Sequence, residues 1–147
     1  PRIPDPPVSD VTVASDAIPV MVKKSNIRLE DEYLKFIDQK LTRHLSESQP
    51  YLNSDFQLSH LSVAIQVPVH HLSYYLREFK GYSFTDLRNR LRIEYAKELI
   101  RKGMTREVTI EAIGAMSGFA SRNTFMNAFK KIEGISPGEF AAEIKNG

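Results

Sequence analysis

The sequence predicts an all-α fold: two helix-turn-helix units joined by a long connecting helix, as in a homeodomain-like tandem, and preceded by one extra helix. Two observations predict it. From residue 29 onward, apolar residues recur every three or four positions, the spacing of one face of an α-helix, and no alternating strand pattern competes. Moreover, a pattern of seven positions occurs twice, once in residues 58–83 and again in residues 110–136.

The repeat consists of apolar residues, a glycine and a serine in the same order. Its first copy is Leu58, Leu61, Val67, Leu72, Leu76, Gly81 and Ser83, and its second copy is Ile110, Ile113, Phe119, Phe125, Phe129, Gly134 and Ser136. The offset is 52 residues for the first three positions and 53 for the last four, so one residue is added where a tight turn between two helices tolerates it. A generic helical core does not predict such an ordered match, and we interpret the pattern as a duplicated unit.

Three segments follow from the order of the elements. Residues 1–27 contain five of the eight prolines and little apolar periodicity, which predicts a flexible linker or tail. Residues 28–52 hold the additional N-terminal helix, and Pro50 ends it. We expect this helix to pack onto the first unit; a dimeric coiled coil is the alternative, but His44 interrupts its partial heptad. Residues 53–147 form the tandem helix-turn-helix domain.

In the first unit, the polar residues 53–55 offer caps for a short helix. A proline is tolerated in the first turn of a helix, so Pro68 begins the next helix, which runs over residues 68–80. Gly81 ends it, as glycine often does after a helix. The side chains predicted to be buried in this second helix are Leu72, Leu76 and Phe79.

The connecting helix is predicted over residues 83–102 and ends at Gly103. Its inward side chains are Phe84, Leu87, Leu91, Tyr95, Leu99 and Ile100. The second unit follows, with helices over 109–116 and 121–132 and a turn at 117–119. A last helix begins at Ser136-Pro137-Gly138-Glu139, where the serine caps, the proline takes the first position and the glutamate reaches back to the cap.

Composition excludes several classes of site. The 147 residues include no cysteine, which removes disulfides, thiolate metal sites and thiol nucleophiles. No glycine-rich phosphate loop, nucleophile elbow or acid–base pair is present, so we expect neither an enzyme nor a cofactor. His70 and His71 do not predict a metal site either, because adjacent residues point to different sides of a helix. The longest apolar run is far below the ~18 residues of a membrane span.

The net charge of +2 is weak support for a nucleic-acid partner, with 20 basic residues against 18 acidic ones. The distribution is more informative, because residues 77–102 contain eight basic and four acidic side chains. Within this stretch, we interpret Arg88, Arg90 and Arg92 as structural or phosphate-facing rather than base-specific.

The outer faces of the second helix in each unit carry the candidate binding residues. In a helix-turn-helix the first helix lies over the phosphate backbone and the second enters the major groove of DNA. The outward residues are His70, Ser73, Tyr74 and Arg77 in the first unit, and Arg122, Asn123, Met126, Asn127 and Lys130 in the second. Arginine pairs with guanine, asparagine pairs with adenine, and methionine contacts the thymine methyl group. We therefore predict a double-stranded DNA partner.

The connecting helix sets the distance between the two units. About 19 helical residues span roughly 28 Å, close to the ~34 Å of one DNA turn. Two recognition helices held this far apart enter successive major grooves on one face of the duplex. The geometry therefore predicts a DNA site of two boxes about one turn apart, which the family resemblance described next implies is a promoter site.

Four stretches of the chain carry a resemblance to a known family. They are Gly118-Phe119-Ala120-Ser121, Phe125 with Phe129-Lys130-Lys131, Gly134-Ile135-Ser136-Pro137-Gly138-Glu139-Phe140, and the connecting-helix sequence of residues 92–100. Over about residues 53–143 the chain resembles the C-terminal DNA-binding domain of the AraC/XylS-type transcriptional regulators. The resemblance implies a bacterial transcription factor, usually an activator, with RNA polymerase as a further partner.

The chain departs from the family pattern at three positions. The family often has serine where Pro68 stands, so we expect this helix to be capped differently. The family often has arginine where Tyr74 stands, so base reading by the first unit is expected to be weaker or more apolar. Many members have alanine where this chain has Gly114, for which we expect only a small loss of helix propensity, about 1 kcal/mol at most.

The residues before the domain are compatible with more than one kind of parent protein. Many family members carry a ligand-binding β-barrel there, which the preceding 52 residues cannot hold. Residues 50–52 and 70–73 are similar to a subgroup with an N-terminal membrane region, so we expect a cytoplasmic domain, either free or following a membrane region in a longer parent chain. The oligomeric state stays open. The alternative function is a helical protein-interaction module that has lost specific DNA binding, which the modest charge and Tyr74 favour slightly.

Overall fold

The computed structural model describes residues 20–23 and 26–146. Seven α-helices follow a short β-hairpin in this part of the chain. The elements are β1 (Val20–Lys23), β2 (Asn26–Leu29), α1 (Asp31–Ser48), α2 (Leu58–Ile65), α3 (Val69–Tyr74), α4 (Phe84–Arg101), α5 (Ile110–Met116), α6 (Arg122–Glu133) and α7 (Pro137–Asn146). Short 3-10 turns cover Pro50–Leu52 and Met104–Arg106. The helical fold with two units on either side of α4 confirms the predicted class.

The hairpin is a local difference from the sequence-based expectation. β1 and β2 pair antiparallel, with Val20 opposite Leu29 and Lys23 opposite Asn26, whereas residues up to 27 were expected to form a flexible tail and no strand was expected. Each strand has four residues, too few for alternation to stand out in the sequence. β2 lies against α3 and ends in the buried Leu29, so tertiary contacts support it. Residues 1–19 of the predicted tail lie outside the described residues.

α1 packs onto the first unit, as expected, rather than standing apart. Its buried face consists of Tyr33, Leu34, Ile37, Leu41 and Leu45. These side chains share one core with Leu61, Ile65 and Leu72 of α2 and α3. The helix ends where Gln49 adopts a left-handed conformation (φ 45°) and Pro50 follows. The additional helix is therefore part of the core of the first unit.

Two caps of the first unit differ from the prediction. The polar residues 53–55 lie before α2 and do not cap it. The helix begins after Gln57, whose backbone N–H donates to Nδ1 of His60 at 3.2 Å. Pro68 stands at the N-cap of α3, one position before the first helical residue.

The second half of the first recognition helix is wider than an α-helix. After Tyr74 the chain continues as a π-helical segment, Tyr75–Lys80, closed by a hydrogen bond from Gly81 N–H to the Leu76 carbonyl at 2.7 Å. A π-helix turns by less per residue than an α-helix. Phe79, predicted to be buried, is therefore rotated outward and is 43% exposed, whereas Tyr75 is fully buried.

α4 contributes to two cores from different faces. Near its start, Leu87 belongs to the first core, and Phe84, Leu91 and Tyr95 pack against it while remaining half-buried. Near its end, the buried side chains Ile93, Ala96, Leu99 and Ile100 belong to the second core. The connecting helix therefore joins the two units through packing as well as through the chain.

The second core is built around a series of phenylalanine rings in tilted and edge-to-face contact. The ring centroids of Phe119 and Phe125 are 5.3 Å apart, those of Phe125 and Phe129 are 5.9 Å apart, and those of Phe129 and Phe140 are 5.5 Å apart. This series runs from the turn of the second unit through α6 to α7. Phe125 and Phe129 are fully buried, as the repeat predicted.

The caps of the last three helices confirm the predicted starts. Thr109 Oγ1 accepts from Ala112 N–H at 3.0 Å before α5, and Ser121 Oγ accepts from Thr124 N–H at 3.2 Å before α6. At α7, Ser136 Oγ accepts from Glu139 N–H at 3.1 Å while Glu139 accepts from Ser136 N–H at 2.9 Å. This reciprocal pair is the capping box read from Ser136-Pro137-Gly138-Glu139.

Gly114 has a larger role than the expected effect on helix propensity. A Cβ atom at this position would lie 2.5 Å from Cδ2 and 2.6 Å from Cγ of Phe125. The glycine is therefore required where α5 crosses α6, because the ring of Phe125 is fully buried there.

Among the residues that the structure describes, no helix is both long and apolar enough to cross a membrane.

Candidate nucleic-acid interface

The outer face of α3 offers few free polar groups. His70 and Arg77 are exposed, whereas Ser73 and Tyr74 are half-buried. The Tyr74 side chain packs against the first core, and the Arg77 guanidinium lies 5.7 Å from its ring. Arg77 also donates to Glu78 at 3.0 Å. All four predicted residues lie on this face, but only His70 and Arg77 extend well into solvent.

The outer face of α6 is richer in polar groups. Arg122, Asn123, Asn127 and Lys130 are exposed, while Met126 is half-buried and packs against the second core. The buried face of the helix consists of Phe125, Ala128 and Phe129, which pack into the second core. The structure thus brings the five predicted residues of the second unit onto one helix, with four of them exposed to solvent.

Arg122 has a partner that the sequence did not predict. Its Nε donates to Oε2 of Glu111 on α5 at 2.9 Å, and both side chains are largely in solvent. This hydrogen bond holds the pKa of Glu111 below its usual value. The glutamate orients the guanidinium at the start of α6 and occupies its Nε edge. A DNA base or phosphate must therefore use the remaining N–H groups or displace Glu111.

Arg92 is a structural residue, one of the two roles that the sequence left open. It is 4% exposed; its Nε donates to the Tyr51 carbonyl at 2.7 Å and its Nη2 to the Asn53 carbonyl at 2.9 Å. The guanidinium also lies 5.4 Å from the ring of Phe119 in the second unit. Burial and, next, the charge of Arg88 lower the pKa of Arg92 to about 10, so it remains charged at neutral pH. It connects the segment before the first unit, α4 and the turn of the second unit.

The turn of the second unit touches the same segment. Gly118 has a left-handed conformation (φ +104°), and a Cβ there would lie 2.4 Å from the Tyr51 carbonyl oxygen and 2.8 Å from Nε of Arg92. Only glycine fits this approach without displacement. The segment at Tyr51 therefore helps to hold the two units in a defined orientation, which the repeat pattern alone did not reveal.

Lys97 links α4 to the end of the second recognition helix. Its Nζ lies 3.1 Å from Glu94 and 3.1 Å from Glu133, the last residue of α6. Burial lowers the pKa of Lys97, but the hydrogen bonds with both carboxylates outweigh it, and the net shift is upward. Together with Arg92, this lysine orients α6 relative to α4.

His71 lies on the inner side of α3, and its ring centroid is 4.6 Å from that of the exposed His70. The hydroxyl of Tyr33 in α1 hydrogen-bonds to its Nδ1 at 2.8 Å. Burial and, next, the neighbouring His70 lower the pKa of His71 to about 4, and burial raises the pKa of Tyr33 to about 12. A protonated phenol therefore faces a neutral imidazole at neutral pH. Their buried contact connects α1 to the first recognition helix.

Comparisons with known proteins agree with this geometry. The family model of a helix-turn-helix domain matches residues 61–143. The C-terminal domain of AraT, a response regulator from Geobacillus stearothermophilus, is 26% identical with a TM-score of 0.58, covering 75% of this chain and 84% of that one. The C-terminal domain of the two-component response regulator yesN from Fusobacterium nucleatum is 27% identical with a TM-score of 0.57, covering 76% and 99%.

An AraC-type transcriptional regulator from Chromobacterium violaceum has the same fold, with a TM-score of 0.62, 20% identity and coverage of 75% of this chain and 96% of that one. No curated protein matches the chain. The family-model match spans more than half of the sequence, and the family is one of DNA-binding regulators rather than enzymes. The chain therefore belongs to the AraC-type helix-turn-helix family of DNA-binding transcription regulators.

Proposed function

We propose that the protein binds a promoter site of two boxes about one helical turn apart, with α3 and α6 in successive major grooves, and that it activates transcription. The observation that carries the proposal is the outer face of α6. There Asn123, Asn127 and Lys130 are exposed in a row, while the opposite face of the helix is packed into the second core. A rigid helix with a free polar face suits the reading of base edges.

The dimensions of α4 support binding to two grooves. Its 18 residues correspond to about 27 Å, compared with about 34 Å for one turn of DNA. Arg92 and Lys97 hold α4 to the segment before the first unit and to α6. The spacing of the two recognition helices is therefore supported by packing and does not depend on a flexible linker.

The two units are proposed to contribute unequally. In α6, Asn123 and Asn127 are placed to bind adenine, and Arg122 guanine, with Met126 against a thymine methyl group. In α3, the half-buried Ser73 and Tyr74 leave less surface for bases. We assign His70 and Arg77 mainly to the sugar–phosphate backbone, which orients the protein without reading sequence.

Selection of bound duplexes from a random pool tests this proposal. The selected site should contain two boxes about one turn apart. Replacing one reader, in Arg122→Ala or Asn127→Ala, should relax the preference at one base position by roughly 1–3 kcal/mol. The matched variant Lys130→Ala should instead weaken binding to all sequences and reduce the salt dependence.

Two results would contradict the assignment. If both reader variants select the same sequences as the parent, α6 is not the reading helix. If the parent shows no salt-sensitive binding to any duplex, the chain is better described as a helical protein-interaction module.

Activation is tested by transcription in vitro with purified RNA polymerase. A template with the selected site should yield more transcript when the protein is added, and Asn127→Ala should reduce this gain in proportion to its weaker binding. A decrease in transcript would identify a repressor instead. In a longer parent chain with a membrane region, DNA binding requires that this domain lie on the cytoplasmic side.

A further inference from the structure

A cleft lies between the two units and borders the predicted reading face of α6 at Asn127. Its volume is about 380 Å³, and it is bounded by the first half of α4, the outer side of α6 and the loop before α2. Its polar lining includes Ser54, Arg88, Asn89, Thr124, Asn127 and Lys131. We call it the Arg88–Lys131 cleft.

The cleft is positively charged. Arg88 and Lys131 line it together with Arg92, and its described lining contains no aspartate or glutamate. Arg92 is already used by two backbone carbonyls. Arg88 contacts the Asn89 side-chain oxygen at 3.4 Å, and within the described part of the chain neither Arg88 nor Lys131 forms an ion pair. Two cations therefore face a polar cavity with no carboxylate to balance them.

The neighbouring arginines also favour an anion. The charge of Arg88 contributes to the lowered pKa of Arg92, which reflects repulsion between the two guanidinium groups. An anion in the cleft would offset this repulsion. The side-chain amide groups of Asn89 and Asn127 are available to donate hydrogen bonds to its oxygen atoms. The Thr124 hydroxyl already donates to the Ser121 carbonyl at 2.9 Å.

The position of the cleft indicates which anion it binds. Asn127 lies both in the cleft and on the outer face of α6 that we assign to the second box. Arg88 and Asn89 lie near the start of α4, next to the first unit. In the proposed two-box mode, DNA that leaves the second box toward the first starts beside Asn127, and each strand carries a phosphate at every nucleotide.

We propose that the Arg88–Lys131 cleft binds a backbone phosphate of the DNA between the two boxes. Arg88 and Lys131 supply the charge, and the Asn89 side-chain amide donates a hydrogen bond. This inference rests on the proposed two-box binding mode and adds to it a contact that sets the position of the spacer DNA. Because phosphate contacts carry no base preference, the cleft contributes affinity and register but no sequence selectivity.

A protein–DNA double-mutant cycle tests the contact. Single phosphates of the spacer are replaced one at a time by a neutral methylphosphonate in the selected two-box duplex. The parent protein should lose affinity at one spacer position. Arg88→Ala and Lys131→Ala should bind all duplexes more weakly, and the methylphosphonate at that position should have little further effect on them.

Salt dependence provides a second readout. Each variant should lose about one unit of the slope of log affinity against log salt, so that between 50 and 200 mM salt its affinity falls about threefold less than that of the parent. Lys102→Ala is the matched control, because this exposed lysine lies at the opposite end of α4. It should retain the full effect of the methylphosphonate. Arg88→Gln removes the charge but keeps a polar side chain that can donate hydrogen bonds and, with circular dichroism, separates loss of contact from loss of fold.

The possible results separate the two proposals. If the parent selects two boxes but the methylphosphonate effect persists in both variants, or occurs at no spacer position, the cleft assignment is wrong and the two-box mode stands. If the parent selects no site, both fail. Titration with inorganic phosphate, followed by NMR of the Asn89 and Lys131 amides, distinguishes a free-anion site: saturation by phosphate combined with unchanged DNA binding in the variants would overturn the proposal.

Discussion

Burial decides whether a polar side chain of this protein hydrogen-bonds within the fold or faces solvent. His71 and Arg92 are each 4% exposed and hydrogen-bond within the fold. Arg122 and Asn127 have similar polar character but remain exposed on α6. Because an unpaired buried polar group is destabilising, each buried one has a specific partner, whereas the exposed ones can be hydrated by solvent. Residue type alone predicts neither role.

The buried imidazole makes stability depend on pH. The pKa of His71 is about 4 in the folded protein and ordinarily about 6.5, so between these values the unfolded chain binds more protons. The contribution of the neutral histidine to the free energy of unfolding is complete above pH 6.5 and is lost as the pH falls toward 4. Between pH 7 and pH 5 the free energy of unfolding should fall by about 2 kcal/mol through this group.

Urea denaturation at the two pH values measures this effect. His71→Gln should remove most of the pH dependence while retaining an acceptor for Tyr33. His70→Gln, at the exposed neighbour, should retain most of it. Equal pH dependence in the parent and in His71→Gln would show that another group is responsible.

The cost of the close contact at Gly118 can be separated from the cost of its positive φ by comparison with Gly134, which also has a positive φ. Gly118→Ala introduces a positive-φ strain and places Cβ 2.4 Å from the Tyr51 carbonyl oxygen. Gly134→Ala introduces a similar strain (φ +85°), but its Cβ meets nothing within 4 Å. We expect about 1 kcal/mol of destabilisation for Gly134→Ala and at least about 1 kcal/mol more for Gly118→Ala. Equal losses in chemical denaturation would mean that the Tyr51 segment moves away without a free-energy cost.

At the scale of elements, sequence patterns placed helix starts well and buried faces less well. The helices predicted from Ser83, Thr109, Ser121 and Ser136 begin directly after these residues, because capping depends on residues close in sequence. The caps expected at residues 53–55 were wrong, since α2 begins after Gln57. The exposure of Phe79 was wrongly predicted, because the π-helical segment that contains it changes the rotation per residue. A π-helical segment has no simple sequence signature and is stabilised by packing, here by Tyr75, which hydrogen-bonds to Asp38 on α1.

The crossing of α5 and α6 gives an element-level prediction. Gly114→Ala should improve intrinsic helix propensity by about 1 kcal/mol, yet its Cβ would lie within 3.0 Å of three atoms of Phe125. Because Phe125 is fully buried, we expect a net destabilisation of about 1–2 kcal/mol. Ala115→Gly at the exposed neighbouring position measures the propensity effect alone. A stabilised Gly114→Ala variant would show that the two helices separate readily.

For the whole molecule, Arg92 is expected to couple stability to the spacing of the two units. Arg92→Lys keeps the charge but cannot donate from a planar fork to both the Tyr51 and Asn53 carbonyls. We expect a loss of about 2–3 kcal/mol in the free energy of unfolding. Affinity for a two-box duplex should fall more than affinity for a duplex with one box.

Denaturation and binding to one-box and two-box duplexes measure the two effects. Arg90→Lys is the control, because this exposed arginine lies two residues away on the same helix. Equal losses of affinity on both duplexes would show that Arg92 affects folding without setting the spacing of the units.

The sequence by itself determined the helical class, the duplicated unit, the family and the outward position of the residues on α6. All of these depend on local periodicity, on caps, or on motifs within a few turns of helix. Tertiary structure decided the rest: the burial of His71 and Arg92, the pairing of Arg122 with Glu111, the need for Gly114 and Gly118, and the cleft between Arg88 and Lys131. Each depends on atoms brought together from separate elements, and neither helical spacing nor residue type specifies which elements will meet.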